Sequence, residues 1–207
     1  MKRVHQSLSV VIFVITAAIG CASIPTQEMS DARQAIKAAG DVKADYYVPT
    51  LWAKVQKKLA QAERDLKAGQ FFQARLIATL AKKQAVNAHN VAIAIGRAKR
   101  VWQAVTAMGY STIEGRTLLE KAQVAARQGD VDRTIAFAND AYRQGKLALN
   151  QARLERAKIL IDKVKARHAE LHPDDLVILN LAEAAYHRCE GKKAYDLIKS
   201  LFDSIGN

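Results

Sequence analysis

Apolar residues recur at intervals of three and four along almost the whole chain beyond residue 30. In one segment, for example, five of them would share a single helix face: Leu51, Val55, Leu59, Ala62 and Leu66. No window shows the strict alternation of apolar and polar residues that is typical of a strand. Strong helix formers such as alanine, leucine, lysine, arginine and glutamine dominate the same region. The pattern therefore predicts an all-α fold.

Proline and glycine residues divide this pattern into segments. Pro49 interrupts the apolar period, Gly69 and Gly129 stop it, and Pro173 starts a new segment because proline suits the first position of a helix. Two further positions have the capping-box spacing of a helix N-terminus. One is Ser30 with Asp31 and Gln34, and the other is Ser111 with Glu114. The predicted helices span about residues 30–45, 51–66, 71–107, 111–127, 130–171, 173–190 and 193–204.

A weak internal repeat follows from three of the glycines, Gly69, Gly129 and Gly191, which are 60 and 62 residues apart. Leucines stand ten residues before these glycines and alanines seven residues before them: Leu59, Leu119, Leu181, Ala62, Ala122 and Ala184. Chance similarity in an alanine-rich chain is the alternative explanation. We predict antiparallel helical hairpins stacked side by side, in a tetratricopeptide-like array or an elongated helical bundle.

The first 20 residues have the composition of a bacterial secretory leader. Lys2 and Arg3 give it a positive start, and the run from Leu8 to Ile19 is apolar but shorter than the ~20 residues of a spanning helix. The sequence Ala18-Ile19-Gly20-Cys21 resembles the lipobox of bacterial lipoproteins, in which the leader is cleaved and the cysteine is lipidated. An ordinary cleaved leader followed by a chance cysteine is the alternative.

Lipidation would make Cys21 the mature N-terminus, with a thioether-linked lipid and an acyl chain such as palmitate. Two or three chains are enough for stable membrane anchoring. The resemblance to Gram-negative lipoproteins, with Ala22 rather than Asp after the cysteine, implies sorting to the outer membrane. We therefore expect residues 1–20 to be a signal peptide, residues 21–29 a lipidated tether, and residues 30–207 a helical-hairpin domain that faces the periplasm.

The mature chain is strongly basic. The full sequence has a net charge of +12 at pH 7, and because the leader removes only Lys2 and Arg3, 30 basic and 20 acidic residues remain, or +10. Such a surface suits lipid head groups, lipopolysaccharide phosphates or acidic proteins. Nucleic acid is not an expected partner, since no nucleic-acid-binding motif accompanies the charge. Cys189 is the only cysteine besides Cys21, so no internal disulfide is expected in the lipidated protein.

Four short stretches resemble an uncharacterised bacterial envelope domain. They form a helix, a Tyr-x-Pro break and a hairpin whose Gly-x-Phe turn leads into Ala-Arg, at residues 31–36, 44–49, 58–62 and 69–75. The resemblance covers about residues 30–92. This domain of unknown function recurs in short lipoproteins and ahead of OmpA-like peptidoglycan-binding domains. The resemblance implies an envelope location and a helical hairpin and supplies no catalytic residues, and the chain has no recognisable OmpA-like domain.

The segments 112–145 and 174–205 also resemble tetratricopeptide repeats. The similar residues are Ala184-Ala185-Tyr186, Gly191, Ala194-Tyr195 and Phe202. The chain does not keep the 34-residue period of those repeats, so we expect isolated units at most. The resemblance implies a groove for a protein partner. The same residues at helical spacing also suit an ordinary helix core.

Motifs for catalysis or cofactor binding are missing from the sequence. It contains no nucleophile elbow, zinc-protease motif, phosphate-binding glycine loop or Cys-x-x-Cys. His168 and His172 have the spacing of a metal-binding pair, but a surface pair is the simpler interpretation. We therefore expect a protein that is not an enzyme and has no catalytic residue, metal site or cofactor.

The sequence between Gln70 and Thr112 contains basic residues but no acidic ones. The candidates for anion binding in this stretch are Lys82, Lys83, Arg97, Lys99 and Arg100. A solvated helix face is the alternative. Trp102, next to them in the sequence, is either an amphipathic contact for a ligand or a core residue.

These observations favour a lipid-anchored scaffold or adaptor of the cell envelope, which binds other envelope proteins through its helical hairpins. The alternative function is a binding module for an anionic envelope component, such as lipopolysaccharide, lipid head groups or a cell-wall polymer. Binding of a polyanion should weaken steeply as ionic strength rises, whereas groove recognition of a protein segment should persist.

Overall fold

The protein is helical throughout the part that the structure describes, which is residues 23–110, 113–167 and 171–206 of a computed structural model. Eight helices follow one another in these ranges, and no strand occurs in them. Their bounds are α1 Thr26–Asp41, α2 Ala44–Tyr47, α3 Pro49–Lys67, α4 Phe71–Ala107, α5 Ile113–Gln128, α6 Val131–Lys165, α7 Pro173–His187 and α8 Gly191–Ile205. The predicted all-α fold is confirmed.

The helices α3 and α4, α5 and α6, and α7 and α8 form three hairpins that stack into an elongated array. Helices α4 and α6 run side by side in the same direction. Residues later in α4 contact residues later in α6, which is the order expected of parallel helices. The Arg97 guanidinium lies 4.5 Å from the centre of the Tyr142 ring, and further on Arg156 Nη2 donates to the Met108 carbonyl at 3.2 Å. The predicted stack of antiparallel hairpins is the observed architecture.

Each of the two long helices belongs to two layers of the array. Helix α4 has 37 residues and is about 55 Å long. Its first half packs against α1 and α3, with ion pairs from Arg75 to Glu28 and from Lys82 to Asp31, both at 2.9 Å. Its second half packs against α6, and the second half of α6 in turn packs against α7 and α8. The long helices therefore hold neighbouring hairpins together.

The turns inside the three hairpins share one backbone geometry. Each contains a left-handed residue, namely Gly69 with φ of 72°, Gly129 with φ of 80° and Cys189 with φ of 58°. The N–H of this residue donates to the carbonyl three positions earlier, and the following N–H donates to the carbonyl five positions before it, which is the Schellman pattern. The three turn residues are 60 residues apart in both intervals. The structure therefore has a 60-residue repeat.

The predicted register of this repeat is wrong in its third copy. The sequence placed the third turn at Gly191, but Gly191 is the first residue of α8 and the turn residue is Cys189. Aligned on the turns, equivalent core positions are occupied by buried or partly buried residues in all three copies: Leu59, Leu119 and Leu179; Ala62, Ala122 and Ala182; Ala74, Thr134 and Ala194; Ala78, Ala138 and Ile198. Most of these side chains are small, so the helices approach closely.

Some helix ends differ from those predicted. Helix α1 begins at Thr26 rather than Ser30, directly after Pro25, and Met29 is buried, so residues 26–29 pack with the helices. Ser30 lies inside the helix, where its hydroxyl accepts from Gln34. The predicted cap at Ser111 and Glu114 lies outside the described side chains. Among the described helices, none is both long enough and apolar enough to cross a membrane.

Candidate ligand-binding groove

Two adjacent tyrosines both contact a single lysine at the centre of the array. Lys43, in the left-handed conformation, turns the chain from α1 into the short helix α2, which carries Tyr46 and Tyr47. Lys99 Nζ on α4 lies 5.1 Å from the centre of the Tyr46 ring and 5.5 Å from that of Tyr47. Both distances are within cation–π range, so the two rings fix the position of this ammonium group.

A glycine allows this arrangement. Tyr47 lies against α4 at Gly96, where an added Cβ would be 3.2 Å from two atoms of the tyrosine ring. The Tyr46 ring stands edge-on to Tyr47, with centroids 5.0 Å apart, and remains 67% exposed. The Tyr-x-Pro break that ends α2 therefore places one aromatic ring, partly buried, against α4 and the other in solvent beside Lys99.

Helix α5 forms the opposite wall of an open groove. Two adjoining cavities, of about 450 and 210 Å³, both have Tyr46 and Lys99 in their walls. We call them together the Tyr46–Lys99 groove. Its other lining residues are Tyr47, Val48, Pro49, Thr50, Trp102, Gln103, Thr106, Tyr110, Arg116, Leu119, Gln123, Ala126 and Arg127. The groove therefore combines aromatic rings, uncharged polar groups and three cations.

Among the lining residues whose side chains the structure describes, none is acidic. Within the described side chains, no carboxylate comes within ion-pair distance of Lys99, Arg116 or Arg127. Near the start of α4, by contrast, Arg75 and Lys82 are paired with carboxylates on α1. The groove is thus a local concentration of positive charge that suits an anionic ligand.

Trp102 forms the floor of the groove and is mainly a packing residue. Its indole N–H donates to the Ala141 carbonyl on α6 at 2.8 Å. Its ring fits against two glycines, since an added Cβ would be 2.1 Å from the ring at Gly115 and 3.0 Å from Nε1 at Gly145. Trp102 therefore joins α4, α5 and α6, and only part of its surface lines the groove.

The five predicted anion-binding residues do not form one site. Lys82 is paired with Asp31 on α1, and Lys83 is exposed beside it, about 20 Å along the helix from the remaining three. Arg97 lies over the Tyr142 ring on α6, and Arg100 is exposed. Only Lys99 lines the groove. Residues on one helix point to different neighbours, so the structure brings only one of the five into the groove, and anion binding by these residues stays a prediction.

Arg116, Arg127 and Tyr46 were not identified from the sequence as site residues. The two arginines belong to α5 and lie 17 and 28 residues further along the chain than Lys99, and nothing in their spacing indicates that they face α4. The Tyr-x-Pro break was a visible signal, although its sequence does not show that a lysine of a later helix lies within cation–π distance of both rings. Cys21 and His168 lie outside the described residues, and His172 caps α7 by accepting from the Asp174 N–H.

A further cavity, of about 660 Å³, lies at the C-terminal end, between α6 and the α7–α8 hairpin. Its charges are compensated, because Lys192 pairs with Asp196 and Lys193 with Glu190. Across the side chains that are described, no three histidine, cysteine or carboxylate groups are clustered as a metal site would require. The Tyr46–Lys99 groove is therefore the candidate for ligand binding.

Comparison with known proteins adds one finding. Residues 27–106 match the family described as a domain of unknown function, DUF4398. The stretch predicted from the sequence motifs, residues 30–92, lies inside this range. No curated protein and no solved structure matches the chain significantly. The matched domain covers α1 to nearly the end of α4, so it supplies Tyr46, Tyr47 and Lys99 of the groove, whereas Arg116 and Arg127 come from α5 outside it.

Proposed function

We propose that the protein is a lipid-anchored scaffold or adaptor of the bacterial cell envelope, which binds an acidic segment of another envelope protein in the Tyr46–Lys99 groove. In this proposal Cys21 carries the lipid, the outer membrane is the site of anchoring and the helical array faces the periplasm. The proposal assigns no catalytic residue and no cofactor. The observation that supports it most is the grouping of Lys99, Arg116 and Arg127, with no carboxylate among the described side chains that line the groove.

The shape of the groove favours an extended ligand over a compact ion. Its two cavities lie on either side of Tyr46 and Lys99, so a chain crossing both would pass along α5. Trp102 and Leu119 offer apolar surface, and Gln103 and Gln123 offer hydrogen bonds to a peptide backbone. Carboxylates of the segment would meet the three cations. Such a mixture of aromatic and arginine contacts is typical of protein interfaces.

A second candidate is an anionic envelope component, such as lipopolysaccharide, lipid head groups or a cell-wall polymer. The same three cations favour it, and the exposed ring of Tyr46 presents an apolar face beside Lys99. The two candidates differ in how binding depends on salt. Polyanion binding rests mainly on charge, so its affinity should fall steeply as the ionic strength rises. Apolar contacts with a protein segment should preserve part of the affinity at high salt.

The test is site-specific photocrosslinking in intact envelopes with the lipidated protein. A photoreactive residue at Gln103 probes the groove, and the same residue at Gln151, exposed on α6, is the control. The Gln103 probe should capture a defined envelope protein, and capture should fall at least tenfold in Lys99→Gln/Arg116→Gln. Lys158→Gln, an exposed lysine of α6 outside the groove, should leave capture unchanged.

Purified components then separate the alternatives. The captured protein, or a peptide containing its acidic segment, should bind the purified chain and lose affinity in the double variant. Labelling of lipopolysaccharide or cell-wall polymer instead of protein would favour the second candidate. Capture of cytosolic proteins alone, or capture that the double variant leaves intact, would refute the proposed groove function.

A further inference from the structure

The start of the described chain is fixed to the first turns of α4. Arg75 Nη2 donates to the Ser23 carbonyl at 2.9 Å and to the Ser23 hydroxyl at 2.8 Å, and its Nε lies 2.9 Å from Glu28 Oε1. Arg75 belongs to the second turn of the helix, next to the Gly69 turn. This end of the array, formed by the start of α1 and the α3–α4 turn, is therefore where the chain enters the domain.

The proposed lipid must lie close to this end. Cys21 precedes Ser23 by two residues, and two residues of chain span at most about 7 Å. If Cys21 is lipidated, as the proposed function requires, the membrane surface lies next to Arg75 and the α3–α4 turn. The other hairpin turns lie further along the axis, because α6 begins beside Val91, about 30 Å from the start of α4.

The outer face of α4 at the same end is apolar and uncovered. Phe72, Leu76 and Leu80 are spaced four residues apart and are 68%, 46% and 37% exposed, while Ile24, directly after Ser23, is 58% exposed. The opposite face of these turns is filled by buried alanines that contact α1 and α3: Ala74, Ala78 and Ala81. The exposed stripe is thus separate from the core of the domain and stands beside the chain entry.

Near this stripe the carboxylates of α1 are paired with cations, whereas one lysine has no carboxylate partner among the described side chains. The two carboxylates of α1 that lie nearest, Glu28 and Asp31, are paired with Arg75 and Lys82. Lys83 continues the stripe two turns beyond Leu76, and it has no ion-pair partner among the described side chains. An apolar stripe bordered by free positive charge is typical of surfaces that rest on anionic lipid.

We infer that Ile24, Phe72, Leu76 and Leu80 form a membrane-contacting surface that lies against the lipid head groups and acyl-chain boundary beside the anchored Cys21. The occupant of the stripe is the bilayer itself, within reach because the anchor is about 7 Å of chain away. Lys99 lies 27 residues beyond Phe72 on one continuous helix, about 40 Å along its axis. Contact at this end would therefore place the Tyr46–Lys99 groove well away from the anchor.

The experiment uses the full lipidated chain in vesicles of phosphatidylethanolamine and phosphatidylglycerol. Cys189→Ser removes the exposed thiol, and because lipidated Cys21 has no free thiol, one introduced cysteine can be labelled with an environment-sensitive fluorophore. Phe72→Cys probes the stripe. Leu147→Cys is the matched control, since Leu147 is a 66% exposed leucine on α6 far from the anchor. The label at position 72 should shift to shorter emission wavelength and be quenched by brominated lipid, and the label at 147 should do neither.

Mass spectrometry of the N-terminal peptide shows whether Cys21 is lipidated, and so distinguishes failure of the anchoring from failure of the membrane surface. If Cys21 carries lipid and both labels stay in water, the membrane surface is refuted while the proposed anchoring stands. If Cys21 carries no lipid, anchoring and membrane surface are both refuted. A shift at position 72 that occurs without vesicles and grows with protein concentration would mean that the stripe binds a second copy of the chain, which would also overturn the inference.

Discussion

The Trp102 indole N–H donates a hydrogen bond to the Ala141 carbonyl at 2.8 Å, and this bond joins the two long helices of the array. The ring reaches Ala141 only because the facing positions on α5 and α6 are Gly115 and Gly145. Because Trp102 is also the floor of the Tyr46–Lys99 groove, the packing of three helices and the shape of the groove depend on the same residue.

Gly115→Ala should destabilise the protein. The added Cβ would lie 2.1 Å from the Trp102 ring, so the ring must move, and overpacking of this kind costs about 1–3 kcal/mol. Gly40→Ala is the matched control, since its Cβ would lie 3.6 Å from Trp52 and alanine is the better helix former by about 0.5–1 kcal/mol. Urea denaturation should show a lower free energy of unfolding for Gly115→Ala and a higher one for Gly40→Ala. Equal stabilisation by both would show that Trp102 is not held as described.

Cys189→Gly should stabilise the third hairpin. A non-glycine residue in the left-handed conformation costs about 1–2 kcal/mol, and the extra freedom of glycine in the unfolded chain returns about half of that. We expect a net gain of about 0.5–1 kcal/mol in the free energy of unfolding. Gly129→Ala, the same position one repeat earlier, should cost about 1 kcal/mol. A loss of stability in Cys189→Gly would contradict the equivalence of the two turns.

Asn150→Ala should loosen the last hairpin from α6. The Asn150 side chain accepts from the Gly191 N–H at 3.0 Å and donates to the Cys189 carbonyl at 3.2 Å. Its removal leaves the partly buried Gly191 N–H unpaired, which costs about 1–3 kcal/mol. Gln151→Ala removes only an exposed hydrogen bond to Glu155 and should change stability by less than about 0.5 kcal/mol. Hydrogen exchange of α7 and α8 should increase in the first variant and not in the second.

Asp31 should titrate differently when Lys82 is removed. The hydrogen bond from Lys82 lowers the pKa of the Asp31 carboxyl below its ordinary value. A lowered pKa means that the ion pair stabilises the fold above the ordinary pKa of Asp and that this contribution is lost as pH falls through the lowered value. Lys82→Gln should raise the Asp31 pKa in an NMR titration. Lys83→Gln, which removes the exposed neighbouring charge, should leave the Asp31 pKa unchanged. A similar rise of this pKa in both variants would refute the specific pairing.

The helices themselves could be predicted from the sequence, and α4 was predicted with its observed ends because Gly69 and Met108-Gly109 mark both of them. The register of the repeat was also present in the sequence, since Leu59, Leu119 and Leu179 are spaced by 60 residues. It was missed because the third turn has Cys189 where the first two have glycine. Left-handed geometry there is imposed by the helices on either side, and residue type alone does not reveal it.

The sequence by itself determined which segments are helical, where most of them end and which face of each is apolar, because these features depend on local hydrogen bonding and helical periodicity. Only the tertiary structure decided which faces meet. It paired Lys82 with Asp31, directed Arg97 to Tyr142, and brought Lys99 together with Tyr46 and with Arg116 on a later helix. An apolar face carries no information about its partner, so the groove is a product of helix packing.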